Sequence, residues 1–472
     1  MELIPYDKRL IEPTLKDFGV DTMTRYFLIM AVVFCGLCAP AEQSIPKDEQ
    51  AVQEVLAGTR TTANAAWWGF DKEDSTEFLQ AAIDSGVPKL VIPYMGDPWI
   101  VRPIKLRSKL EIVFEPGVLV LAKKGEFKGG GDSLFSAIDE TDITIRGYGA
   151  TLRMHKKDYQ SEAYQKAEWR MTLRFMGCKR VLVEGLRMES SGGDGIYVGS
   201  SGQNRWSEDV VIRNCVCHDN HRQGISVTSA QNLLIENCIL SDTSGTAPGA
   251  GIDLEPDSED ERLVNCVIRN CIMENNEGHA MLVYLKPLTS GSEPVSVRFE
   301  NCLSRMGHSA GLPLDAFEDY DRMGWAGMAV GAVKDDGPKG TVEFINCTAE
   351  NTGKEGAKVF DKSAENVRVR FVNCKWKNGW VSRHSDDGGP RVPILIHLRQ
   401  SEITQKYGGV EFVDCSVYDD VYRPVLWALE DESSFGVRDL VGSISVYSPH
   451  EPRMQLGPNA QNIDLKIKKV GK

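Results

Sequence analysis

The sequence predicts an all-β protein, a single-stranded right-handed parallel β-helix with a short N-terminal capping helix, and three observations predict it. An apolar alternation ending in Asn-Cys recurs as Val211-Ile-Arg-Asn-Cys215, Leu234-Ile-Glu-Asn-Cys238, Val267-Ile-Arg-Asn-Cys271, Arg298-Phe-Glu-Asn-Cys302, Glu343-Phe-Ile-Asn-Cys347 and Arg370-Phe-Val-Asn-Cys374. Glu411-Phe-Val-Asp-Cys415 closes the series with Asp in place of Asn. Successive cysteines lie 23, 33, 31, 45, 27 and 41 residues apart, a variable period that fits a solenoid whose loops differ from turn to turn. Between these runs lies a second set of short strands, Gly195–Val198, Gly224–Val227, Gly251–Leu254, Ala280–Val283, Gly327–Val330 and Gly356–Val359. The period of two and the Gly/Asn punctuation exclude helical repeats.

Each element has a local reason. Asn tolerates the left-handed conformation a tight corner requires, and stacked Asn side chains can hydrogen-bond from coil to coil. The following Cys is a small apolar side chain expected to face inward. One cysteine per coil points each thiol the same way, which opposes the near-perpendicular torsion of a disulfide, so most of the twelve cysteines are expected to be unpaired. Cys215 with Cys217, or Cys266 with a neighbour, stays open as a pairing. Upstream, Asp74–Gly86 has acidic and hydroxyl residues at its start, apolar residues at 78, 79, 82 and 83, and Gly at its end. This pattern is that of a short amphipathic helix placed to plug the first coil. Strands are expected at Lys89–Pro93, Leu110–Phe114 and Ile143–Ile145.

The N-terminal residues read as an address. Met23-Thr-Arg-Tyr26, the apolar run Phe27–Leu37 and Ala39-Pro-Ala41 match a secretory signal over residues 1–41, with Met23 as an alternative start. Residues 42–59 read as a linker, and 60–470 as one β-helical domain with insertions near 155–170 and 303–326. The location expected is secreted or periplasmic, with no membrane insertion after cleavage. With 54 basic against 67 acidic side chains, the net charge of −13 disfavours a surface built to wrap nucleic acid. No nucleotide loop, nucleophile elbow or zinc-spaced Cys/His set is present.

The Asp74–Gly86 helix, Val91-Ile-Pro93, Asp194-Gly-Ile-Tyr-Val198 and the Asn-Cys coils resemble the pectin-lyase-like superfamily, which includes polygalacturonases, pectate and alginate lyases, epimerases and phage tailspikes. The resemblance covers nearly all of the chain after the signal, and implies a groove on one parallel sheet suited to a polysaccharide. It specifies fold better than reaction, because the fold hosts hydrolases, lyases and non-enzymes. The polygalacturonase constellation matches in part. Gly193-Asp194-Gly195 fits its first motif and Lys286 can stand for its cation. Arg222-Gln223 stands where an Asp pair belongs, and Gly249-Ala250-Gly251 lacks the His.

Alternation places Tyr197, Ser226, Asp253 and Leu282 in one outward column, and Gly199, Thr228, Glu255 and Tyr284 in the next. Asp253 and Glu255 then share a strand face, with Cα atoms about 6.5–7 Å apart, and Asp194 lies two coils away, about 10 Å along the stack. Carboxylates spaced for an intervening water suit inverting glycoside hydrolysis, so Asp194, Asp253 and Glu255 are the candidate acids. Arg222 and His221, with Tyr197, Tyr284, Lys286 and His279, are the candidate substrate-binding residues. Each has a plainer reading as a solvated strand face, a turn or a coil-to-coil ion pair. A glycoside hydrolase is the first expectation, with no cofactor and no resident metal. The alternative is a lyase or epimerase of uronic-acid glycans, in which Asp253, Glu255 and Asp257 hold Ca²⁺ and Arg222 or Lys286 is the base. A third is a non-catalytic glycan-binding surface protein. The partner expected in every case is a polysaccharide.

Overall fold

A computed structural model describes residues 45–306, 324–380 and 391–471, and the signal segment lies outside them, as does most of the 303–326 insertion. The described residues fall in one compact unit, Gln43–Lys472. The chain winds as the right-handed parallel β-helix expected. A typical coil has three strands rather than two. Ser207–Arg213 is followed, across the Asn214-Cys215 corner, by Val216–His218, and Gln223–Val227 then forms the third side. The first two sides of all coils make a 24-stranded sheet folded along the corner, and the third side makes a 12-stranded sheet. The three-residue side escapes a sequence reading because it is too short to show alternation of its own.

The corner chemistry is as the residue types dictate. Asn214, Asn237, Asn270, Asn301, Asn346, Asn373 and Asp414 all have φ between 51° and 55°. Their amides form a ladder, each Nδ2 donating to the Oδ1 one coil back: Asn237 to Asn214 at 3.4 Å, Asn270 to Asn237 and Asn301 to Asn270 at 3.3 Å, Asn346 to Asn301 at 3.2 Å, Asn373 to Asn346 at 2.8 Å. Asn301→Ala therefore loses two ladder bonds and forces a Cβ residue without a local partner into the left-handed region, and should cost about 1–2 kcal/mol. Asn301→Gly should cost less than Asn301→Ala, because glycine adopts that conformation freely. Urea melts of the two variants check the order.

Inside the coils the side chains stack like with like. Phe299, Phe344, Phe371 and Phe412 lie nearly parallel, with centroids 4.9, 5.1 and 5.5 Å apart, close to the spacing of the strands that carry them. The ten cysteines of the described residues are all buried and free, Cys215, Cys217 and Cys266 among them. The expected plug is the helix Thr76–Asp84, which buries Leu79, Ala82 and Ile83 and ends before Gly86 at φ 85°. The linker reading of 42–59 is corrected. Ile45 pairs with Phe70, and a second helix, Glu49–Leu56, is capped by Asp48 and buries Ala51, Val52 and Val55 against the same end. Its three apolar residues follow helical spacing, but charge and brevity mask the pattern in the sequence.

Candidate functional site

The 12-stranded sheet carries the candidate acids, and its register is the one alternation predicts. Tyr197 pairs with Ser226, Ser226 with Asp253 and Asp253 with Leu282, while Ile196, Ile225, Ile252 and Met281 fill the core between them. One irregularity sets the geometry of the site. A Cβ on Gly195 would meet Cys217 Cβ at 3.0 Å, and one on Gly224 would meet Leu240 Cβ at 3.1 Å, so both positions face inward, as Ile196 and Ile225 do. Two consecutive inward residues turn Asp194 and its register partner Gln223 outward, onto the face that bears Asp253.

Asp194, Arg222, Gln223, Asp253 and Glu255 thus meet across three coils. Gln223 Nε2 donates to Asp253 Oδ2 at 2.7 Å. Arg222 Nη1 stands 3.8 Å from Asp194 Oδ2, and Arg222 Nε is 3.9 Å from Glu168 Oε1, both beyond hydrogen-bond length. Glu168 comes from the 155–170 insertion, which Arg170 clamps by donating to the carbonyls of Phe127, Lys128 and Gln165 between the rings of Tyr159 and Tyr164. The clamp holds this insertion with Glu168 beside Arg222. Asp194 and Asp253 are both 0 % exposed.

Burial dominates the electrostatics. It pushes the Asp194 carboxyl up to about 7, against the pull of Arg222 and with help from Glu168. Asp253 is pushed well above the carboxylate range by burial and by the charge of Glu255. Burial draws the Arg222 guanidinium down, but Asp194, Asp253, Glu168 and Glu255 more than offset this and hold it above its usual value. Five buried polar atoms of this cluster have no hydrogen-bond partner: both carboxylate oxygens of Asp194, Arg222 Nε, Gln223 Oε1 and Asp253 Oδ1. Buried polar atoms in native proteins are nearly always satisfied, so five together mark a place where water or a bound molecule supplies the partners.

Other expectations change. Asp253 lies in the field of Glu255 on its own strand and in that of Asp194 on the far side of Arg222. His221 is not in the cluster. Its Nε2 meets Thr246 Oγ1 at 2.8 Å, and the charges acting on it are Lys156, Glu277 and Arg170. Lys286 lies exposed beyond the end of its strand. Tyr197 faces the groove one coil before Ser226, with its hydroxyl 3.0 Å from Thr228 Oγ1 and pushed up to about 12 by burial. Tyr284 lies further along, its ring 6.2 Å from Phe360 and within the field of Glu255. His279 occupies a separate cavity with Trp325, Lys358, Phe360 and Arg399. Among the described residues no three His, Cys, Asp or Glu side chains converge as metal ligands. The sequence reading missed Glu168 and Gln223 as site residues. Only the three-coil juxtaposition brings them in, although Gln223 stood in the predicted Asp194 register.

Three comparisons place the chain among known proteins. Residues 172–404 match the family model described as right handed beta helix region. The chain is similar to an uncharacterized protein, YclG, of Bacillus subtilis (strain 168), 28% identical over 237 residues that cover 44% of this chain and 41% of that protein. It thus spans about two fifths of that relative's length. Among solved structures it is similar to the family 28 exopolygalacturonase of Yersinia enterocolitica, at 13% identity and a TM-score of 0.56, over 86% of this chain and 78% of that one. It is equally similar to PfbA, a surface adhesin of Streptococcus pneumoniae, at 14% identity and a TM-score of 0.55, over 87% and 92%. Likeness at this identity shows a shared fold, and the two neighbours show that the fold serves an enzyme and an adhesin alike.

Proposed function

We propose, from the premise that this chain is a right-handed parallel β-helix of the pectin-lyase-like superfamily, that it is a secreted glycoside hydrolase acting on a polysaccharide laid along the 12-stranded sheet. The observation that carries this reading is the group of five unpartnered buried polar atoms around Arg222, set among carboxyls whose affinities for protons differ. Asp253, whose protonated form is favoured by burial and by the charge of Glu255, supplies the proton to the glycosidic oxygen as the bond breaks, with Glu255, less buried on the same strand face, on the substrate side. Asp194, two coils away across Arg222, takes the proton of the attacking water. Arg222 keeps the two acidic centres apart in charge and can bind an anionic substituent of the sugar.

Removal of a proton from the sugar ring by Arg222, the lyase alternative, is opposed by the four carboxylates that raise its pKa. The second reading is a glycan-binding surface protein. What favours it is that both aspartates are fully buried, so that substrate reaches the cluster first through Glu255 and Arg222.

Incubation of the purified protein with neutral and uronate polysaccharides, with and without EDTA, separates the readings. Hydrolysis yields new reducing ends with no ultraviolet absorbance from an unsaturated product, and EDTA leaves the rate unchanged. Absorbance rising with the reducing ends identifies a lyase and overturns the proposal. Retention on a glycan with no cleavage of any member supports the binding protein.

A further inference from the structure

The outward column that carries Asp253 continues past the acids. Asp253 is in register with Leu282, Leu282 with Ala329 and Ala329 with Lys358, so Lys358 stands three coils on, about 14 Å along the stack. There a second cavity of about 180 Å³ opens on the same sheet, lined by His279, Trp325, Glu355, Lys358, Phe360 and Arg399. Tyr284 lies between the two sites, in the field of Glu255 on one side and 6.2 Å from the Phe360 ring on the other. Between the two sites the column is covered by the apolar cluster of Leu282, Ala326, Ala329 and Phe360, with Tyr284 packed against it.

Its lining is built rather than incidental. Arg399 is fixed by the fully buried Asp361, whose Oδ2 accepts from Arg399 Nε at 2.9 Å and from Nη2 at 2.8 Å, and its guanidinium lies 4.2 Å over the Phe360 ring. Lys358 Nζ is 3.9 Å from Glu355 Oε1, too far for a hydrogen bond, and the buried Glu355 Oε2 has no partner. His279 is buried, with Nδ1 accepting from the Ala326 amide at 3.2 Å. Burial, with Lys358, Arg399 and Lys354 nearby, pushes its pKa down to about 3, so it is neutral and adds no charge. Trp325 stands 40% exposed and edge-on to His279, 5.0 Å between centroids. Lys358 and Arg399 face Glu355 and Asp361, and of the two cations Arg399 is hydrogen-bonded to a carboxylate whereas Lys358 is not. An exposed indole, a cation with an open hydrogen-bonding valence and a buried carboxylate acceptor are what a pyranose with an anionic substituent needs: a stacking face, a charge partner and a hydroxyl partner.

We propose that this cavity is a second glycan subsite, which binds an anionic sugar unit, carboxylated or sulfated, several units along the chain from the linkage at the acids. Trp325 stacks on the ring, Lys358 and Arg399 hold the anion and Glu355 accepts a hydroxyl. The orientation of the glycan rests on the function proposed above, whereas anion binding does not. The substrate is then an acidic polysaccharide held in register by a charge remote from the cleaved bond.

The test uses the protein with Asp253→Asn, to prevent turnover, on immobilised oligogalacturonate, alginate oligosaccharides, heparin-derived oligosaccharides and neutral cello-oligosaccharides. Binding to at least one acidic class is expected, weakened about tenfold by Lys358→Met and again by Trp325→Ala, with neutral glycans unaffected. The class retained tells carboxylate from sulfate. No binding to any acidic glycan, binding to neutral glycans alone, or acidic binding that Lys358→Met leaves unchanged overturns the proposal. Lys358→Met decides alone if Trp325→Ala does not fold, since Lys358 lies on a sheet face. Acidic binding that needs Lys358 in a protein that cleaves nothing would fail the hydrolase reading and leave this subsite standing. Cleavage unaffected by Lys358→Met would do the reverse.

Discussion

Replacing Arg222 with methionine should destabilise the protein by about 3–5 kcal/mol at pH 8 and by much less at pH 4, measured by urea unfolding at both pH values. The guanidinium sits among Asp194, Asp253, Glu168 and Glu255, and without it the buried aspartates must ionise unpaired or hold protons against the solvent. The sign follows from the direction of the shifts. Asp194 is raised to about 7 and Asp253 well above its usual value, so the folded state binds more protons than the unfolded one between about pH 4 and 7, and these groups cost stability as pH rises through that window. At pH 4 both are protonated in the folded state, and little charge is left for Arg222 to neutralise. Asp194→Asn should show the opposite sign, gaining on the order of 4 kcal/mol at pH 8 relative to wild type and almost nothing at pH 4. An equal loss for Arg222→Met at both pH values would make its role packing rather than charge.

Asp253→Asn and Glu255→Gln should each lower kcat by about 10²- to 10⁴-fold with little change in KM, read as reducing ends released from whichever glycan the protein cleaves. In the proposed reaction both residues serve one proton transfer, so the double variant should be little worse than either single one. Asp253→Asn keeps the acceptor for Gln223 Nε2 and removes a buried acid, so its loss of activity should come with a stability gain at neutral pH. A fall in kcat accompanied by a fall in stability would instead point to a disrupted coil.

Much of this was legible in one dimension. The Asn-Cys corners announced themselves because left-handed backbone and a small inward side chain are demands of single residues, which no neighbour can supply. The column from Tyr197 to Leu282 followed from strand periodicity alone. Asp253 and Glu255 were visible as a pair on one strand, though not how far burial raises Asp253, since the packing around it decides that.

Residues far apart in the chain gave no such signal. Glu168 reaches Arg222 only because an insertion folds back over the start of the sheet, and Lys358 and Arg399 join His279 and Trp325 only because coils of unequal length stack in register. The helix Glu49–Leu56 likewise has a reason to form only once the open end of the first coil exists to cover. The sequence by itself determined the coil, its corners and the direction each strand residue faces, because these depend on local sterics and a period of two. The tertiary structure alone decided which charges meet and how deeply they are buried, because charge energies depend on distances between coils and on the water excluded around them.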